Sequence, residues 1–122
     1  MTTMIQDKNG VTAAAPASVP DRHFRNAWVF DENQTAIAED LAAAKVIFQA
    51  KIREVRGPLL AAEDVVYMKA LEADNASAKT ASVNKKKALR DAPAASAIAS
   101  ADTIAKLKAA WDTSTLGDSP YA

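Results

Sequence analysis

Residues 40–74 read DLAAAKVIFQAKIREVRGPLLAAEDVVYMKALEAD, and their spacing decides the fold. Asp40 is a good N-cap for a helix that starts right after it. Leu41, Ala44, Phe48, Ile52 and Val55 follow at intervals of 3, 4, 4 and 3, which places them on one apolar stripe of a helix over 41–56. Arg53 and Arg56 sit in its last turn, where the helix dipole favours cations. Gly57 reads as a terminating residue and Pro58 as the first residue of a second helix over 58–74. Leu59, Ala62, Val66, Ala70 and Ala73 make the stripe of that second helix, widened by Leu60, Tyr67 and Leu71. The two stripes stay in phase from Val55 to Leu59, so one kinked helix is the alternative. An interior proline costs about 3 kcal/mol. With a glycine beside it, the sequence predicts a clear break or sharp kink at 57–58.

Towards the C-terminus, Asp74-Asn75 begins a turn and Ser77 can cap a third helix that runs to Arg90. Its apolar residues are few: Ala78, Ala81, Val83, Ala88 and Leu89. Pro93 stops it, and 92–99 reads as an alanine-rich linker. Ser100 or Asp102 caps a short helix over 102–111, with Ile104, Leu107 and Trp111 on one face. Residues 112–122, with Gly117 and Pro120, read as a C-terminal tail. Towards the N-terminus, residues 1–20 read as an extended arm, with a turn at Asn9-Gly10 and a short strand available at Val11-Thr12. Ala27 to Phe30 suits a strand, and Thr35 to Ala38 can be its antiparallel mate with Ile37 inward. The expected organisation is therefore an arm at 1–20, a small mainly helical domain at 21–111 and a tail at 112–122. The expected fold class is mainly α: an antiparallel helical hairpin or small bundle, with room for a short β-hairpin before the helices.

Composition bounds what such a domain can do. Of 122 residues 49% are hydrophobic, but 29 of those are alanine, so the core is thin. There is no cysteine, which excludes a disulfide framework and any cysteine-containing zinc site. No apolar run approaches the length of a membrane span. Met1 to Gly10 carries no apolar segment of the kind a signal peptide needs. His23 is the single histidine, and spacing gives it no catalytic partner; Asp21, two residues away, would share its side only on a strand. Neither G-x-S-x-G nor G-x-x-x-x-G-K-[ST] occurs, and with three glycines a phosphate-cradling loop has little to be built from. The acidic pairs Asp31-Glu32, Glu39-Asp40 and Glu63-Asp64 read as turn, cap and surface residues, because neighbours diverge on a helix. The expectation is a non-enzyme with no catalytic, cofactor-binding or metal-binding residue.

The net charge is zero, yet the charge alternates by segment: −3 over 21–40, +3 over 41–56, −3 over 57–74 and +4 over 75–91. Alternation of this kind suits segments that attract one another. Lys85-Lys86-Lys87 with Lys79 and Arg90 is the one basic cluster. It lacks interleaved aromatics, so a partner for the acidic segment before it is the better reading than nucleic acid. Three of the seven aromatics fall in 21–30, beside two arginines. Aromatic and arginine side chains are the usual anchors of protein interfaces. The candidate partner-binding residues are accordingly Arg22, Phe24, Arg25, Trp28, Phe30 and Trp111, with Arg25 expected to pair with a carboxylate of a neighbour. The competing reading is that Phe24 and Trp28 cover the thin helical core.

Two blocks carry a resemblance. The first is Val19-Pro-Asp-Arg-His-Phe-Arg-Asn-Ala-Trp28 followed by the A-x-x-I-x-x-x-x-I-R-x-x-R-x-P-x-L helix at Ala44 to Leu60. The second is Lys87-Ala-Leu-Arg-Asp-Ala-Pro93 followed by a helix ending Leu107-Lys-Ala-Ala-Trp111. Together, over residues 19–111, they resemble a group of short proteins of tailed bacteriophages and prophages, described as tail-fibre-like or tail-assembly proteins. The resemblance implies a non-enzymatic structural component of the virion, in the tail, fibre or baseplate region. Its partners would be other virion proteins and further copies of itself, with no cofactor. It would reside in the virion, and in the host cytoplasm during assembly. The alternatives are a transient tail-assembly chaperone, a capsid decoration protein that clamps its neighbours with the arm, and, least supported, a nucleic-acid-binding accessory using the 85–90 cluster. The arm at 1–18 lies outside the resemblance and inherits nothing from it.

Overall fold

A computed structural model describes residues 3–20 and 22–121; Met1, Thr2, Asp21 and Ala122 lie outside the described residues. The element order is β1 (Met4–Gln6), β2 (Thr12–Ala14), a 3-10 helix (Arg22–Ala27), β3 (Trp28–Phe30), β4 (Ile37–Glu39), α1 (Leu41–Glu72), α2 (Ala76–Asp91), a 3-10 turn (Ala92–Ala94), α3 (Ser96–Ser100), α4 (Ile104–Ala109) and α5 (Thr113–Leu116). The fold is mainly helical, as the sequence predicts, and its two long helices pack together as an antiparallel hairpin.

The break expected at 57–58 is absent. α1 is one helix of 32 residues that carries Pro58 in its interior. Pro58 forfeits one backbone hydrogen bond, but Val55 and Leu59 remain in phase and both pack on the core. A break would swing one of them away, and the lost burial outweighs the lost bond. Gly57 has no positive φ, so it does not terminate a helix. The attraction expected between the first and second predicted helices therefore cannot exist, since both are segments of α1. The attraction between 57–74 and 75–91 is real. Lys86 reaches Asp64 at 2.6 Å, Lys85 reaches Glu63 at 3.7 Å and Lys79 reaches Asp74 at 3.6 Å.

Asp40 caps α1 as predicted, its side chain accepting from the Ala43 amide at 3.2 Å. At the far end the chain turns in two residues. Asp74 takes a left-handed φ of 52°, the Asn75 amide donates to Ala70 at 3.0 Å and the Asp74 amide donates to Leu71 at 3.1 Å. This is the Schellman pattern, with aspartate where glycine is usual. Asn75 then caps α2, accepting from the Ala78 amide at 3.0 Å; Ser77, the predicted cap, lies one residue inside the helix.

The core gathers where α1 meets everything else. Ala44, Phe48 and Ile52 of the predicted stripe are buried against Leu89, Ile98, Leu107, Trp111 and Leu116. The expected linker 92–99 is partly helical and delivers Ile98 to this core. The short helix before Trp111 starts later than predicted, at Ile104, with Thr103 as its cap. Of the predicted tail, residues 112–121 are packed on the domain, and Ala122 lies outside the described residues. Asp112 caps α5, Leu116 is buried, and Tyr121 packs on Phe24 and Phe48 with ring centroids 5.0 and 5.4 Å away.

The predicted β-hairpin is present as β3 and β4, in the register Trp28 to Glu39, Val29 to Ala38 and Phe30 to Ile37. The expected arm is extended in backbone but folded on itself. β1 and β2 pair antiparallel, Ile5 opposite Ala13, around a turn in which Gly10 takes φ 83°. Val11 precedes β2 and is not part of it.

Candidate protein-binding surface

The aromatic-basic segment 22–30 is held from two sides. Phe24 and Ala27 enter the core from the 3-10 helix, and Trp28 and Phe30 are buried on β3. The N-terminal hairpin covers them. The Lys8 amide donates to the Trp28 carbonyl at 3.0 Å. Asp7 is buried, and its carboxylate accepts from the amides of Asn9 at 2.9 Å, Val11 at 2.9 Å and Phe30 at 3.0 Å. These bonds, the one from Phe30 first, hold the Asp7 carboxyl below its ordinary pKa of 3.8 against the opposing effect of burial. Lys8 reaches Asp40 at 3.2 Å, tying the hairpin to the start of α1.

The six residues singled out in the sequence thus divide. Phe24, Trp28, Phe30 and Trp111 are buried within this chain. Trp111 donates its indole Nε1–H to the Gly117 carbonyl at 3.0 Å. Arg25 is half-buried; its guanidinium lies 4.7 Å from the centre of the Trp28 ring and donates to the Gln6 carbonyl at 2.9 Å. Its partner is a backbone carbonyl of its own chain, not the carboxylate of a neighbour. Arg22 alone is exposed. Interface anchors and core anchors are the same residue types, and here the thin core has taken the aromatics. Asp21, considered with His23, lies outside the described residues; His23 packs edge-on against Tyr121.

The exposed apolar surface is elsewhere. Beyond Leu60 no residue of α1 belongs to the central core. There α1 and α2 run on as a paired two-helix projection. Ala70 and Ser82 are buried between them, Ser82 Oγ donates to the Glu63 carbonyl at 3.3 Å, and the Lys86 ammonium lies 5.1 Å from the centre of the Tyr67 ring. Val65 is 54% exposed, Val66 48%, Met68 57% and Leu71 47%. Val83 on α2 is exposed as well. The stripe predicted for this half of α1 is only partly right. Leu59 and Ala70 face inward, but the inward position between them belongs to Glu63, while Ala62, Val66 and Ala73 are exposed.

The stripe read from the sequence placed Val66 and Leu71 on the buried face and left Val65 and Met68 unassigned, so it did not mark the four as one exposed surface. The signal was present: the run is apolar on nearly all sides of the helix, and such a helix needs cover on more than one side. Contiguous exposed apolar surface rimmed by charge is the mark of a protein-binding site.

Among the described residues no helix is long and apolar enough to cross a membrane. The comparisons name no relative: no family model matches the chain, no curated protein matches it, and no solved structure matches its fold.

Proposed function

We propose that the protein is a non-enzymatic structural component of a tailed-phage particle, in the tail, fibre or baseplate region, and that it works by binding other proteins through the α1–α2 projection. The observation that carries the reading is the bare apolar surface of Val65, Val66, Met68 and Leu71 on a helix whose other side is already paired. In an isolated chain such a surface is a liability; in an assembly it is the contact. The compact end around Phe48 anchors the projection, as a rigid base holds a protruding arm. The resemblance over residues 19–111 supplies the phage setting. Zero net charge and the pairing of Lys85 and Lys86 with acidic residues of α1, and of Lys79 with Asp74 of the turn, favour protein over nucleic acid as the partner.

The test is co-purification with particles. The wild-type chain is expected to remain with purified particles through a density gradient. Val66→Asp/Leu71→Asp, which keeps the helix and charges its exposed surface, is expected to be lost from them while staying folded in the lysate. A variant retained at the wild-type level would overturn the assignment of this surface. A wild-type chain abundant in lysate and absent from particles would turn the reading to a transient assembly factor.

A further inference from the structure

α1 carries a second pattern that burial within the chain leaves unused. Pro58, Ala61, Ala62 and Val65 are all exposed, and the helical period puts them in one stripe that neither the core nor α2 covers. The stripe is bounded by two charge pairs on the same side, Lys51 with Glu54 before it and Lys69 with Glu72 after it. Eighteen residues, five helical turns, separate Lys51 from Lys69 and Glu54 from Glu72, so both pairs face the same way. Neither Lys69 nor Glu72 has an ion-pair partner among the described residues.

The positions are symmetric about the Ala61–Ala62 bond. Turning a second copy of the helix end for end about that point sets Ala61 against Ala62, Pro58 against Val65, Glu54 against Lys69 and Lys51 against Glu72. Every charge then meets its opposite, twice over, and small apolar residues meet at the centre, where two helices can approach closely. The same helices side by side in parallel register would set Lys51 on Lys51 and Glu54 on Glu54, which repel. A patch that complements itself under a two-fold rotation is the requirement for a closed dimer.

We infer that the exposed face of α1 between Lys51 and Glu72 binds a second copy of this chain, antiparallel, with the two-fold axis at Ala61–Ala62. At the core end of the face, a cleft of about 500 Å³ lined by His23, Ile47, Lys51, Glu54 and Tyr121 receives the Glu72 end of the partner helix. Val66, Leu71 and Val83 stand beside the stripe and stay available to other proteins, so the inference stands independently of the virion reading.

The experiment is sedimentation of the full chain over a range of concentrations, with charge-reversal variants. The wild type is expected to form a dimer. Glu54→Lys and Lys69→Glu, each placing like charges together at two symmetric points, are expected to weaken the dimer by about tenfold. The double variant Glu54→Lys/Lys69→Glu restores the opposed charges and with them the wild-type affinity. Because the chain has no cysteine, Ala61→Cys provides an independent reading: it is expected to form a disulfide-linked dimer under mild oxidation, whereas Val83→Cys does not. A chain that stays monomeric at all concentrations with no Ala61→Cys cross-link would overturn the inference. So would a dimer indifferent to both single reversals, or one in which the double variant is as weak as either single one.

Discussion

The ring of Tyr121 stacks on that of Phe48, with centroids 5.4 Å apart and planes inclined by 23°. Seventy-three positions apart in sequence, the two residues close the core. Trp111 meets both rings edge-on, at 5.8 Å from Phe48 and 6.0 Å from Tyr121. Tyr121 is therefore structural, and Tyr121→Ala is expected to destabilise the fold by about 2 kcal/mol, with Phe48→Ala costing about 3–5 kcal/mol. Denaturant unfolding followed by tryptophan fluorescence measures both. A Tyr121→Ala protein as stable as the wild type would mean that the C-terminal turn does not pack as described. Burial, with Glu54 adding to it, also holds the Tyr121 hydroxyl above its ordinary pKa of 10.0, so the ring stays neutral beyond the pH at which an exposed tyrosine ionises.

Gly57 and Pro58 lie in the interior of a continuous helix, where neither is needed by the backbone. A Cβ added at Gly57 meets nothing within 4 Å. Gly57→Ala is expected to stabilise the protein by about 0.5–1 kcal/mol, and Pro58→Ala by up to about 3 kcal/mol through the restored hydrogen bond and relief of the ring clash. The rise in midpoint of a denaturant titration checks this. A loss of stability at either position would mean that the helix is interrupted there.

Asp74 and Asn75 make the two-residue turn between the long helices. Asn75→Ala removes the cap of α2 and is expected to cost about 1 kcal/mol. Asp74→Gly removes the cost of a left-handed non-glycine residue and is expected to raise stability by about 0.5–1 kcal/mol, offset in part by loss of the exposed pair with Lys79. Opposite signs at adjacent positions are the signature of this turn, and equal losses at both would contradict it.

Asp7 clamps the N-terminal hairpin to β3. Its carboxyl titrates lower in the folded protein than in the unfolded chain, so its contribution is complete above the ordinary carboxylate pKa of 3.8 and fades as the pH falls through the lower folded value. On acidification the β1–β2 hairpin is expected to loosen before the helical core. Hydrogen exchange at the Phe30 amide reads this directly, since that amide donates to Asp7 Oδ2. In Asp7→Ala the same amide is expected to exchange rapidly at neutral pH, with the amides of Phe48 and Ile52 unchanged. Protection retained at Phe30 would show that Asp7 is not the clamp.

The stripe Ala44, Phe48, Ile52 was legible because an amphipathic period survives in any packing that buries one face. Asp40, Leu107 and Trp111 were legible for the same local reasons. What the sequence hid is what depends on distant partners. The continuity of α1 through Pro58 follows from core packing on both sides of it, which local propensity does not register. Tyr121 looked like part of a loose end because the rings it covers lie in other elements. The segment 22–30 looked like a recognition site because aromatics and arginine mark cores and interfaces alike. Val66 and Leu71 were counted in the apolar stripe, yet both are exposed, because periodicity reports which residues are apolar and only the fold reports which side is covered.

The proposal that the chain is a component of a tailed-phage particle is tested most directly by quantitative mass spectrometry of purified particles from a phage whose genome carries this sequence. The account predicts a fixed multiple of three or six chains per tail, as a symmetric tail, fibre or baseplate component requires. Hundreds of copies per particle would place the chain on the head as a decoration protein, and none at all, with the chain plentiful in the infected cell, would contradict a structural role in the virion.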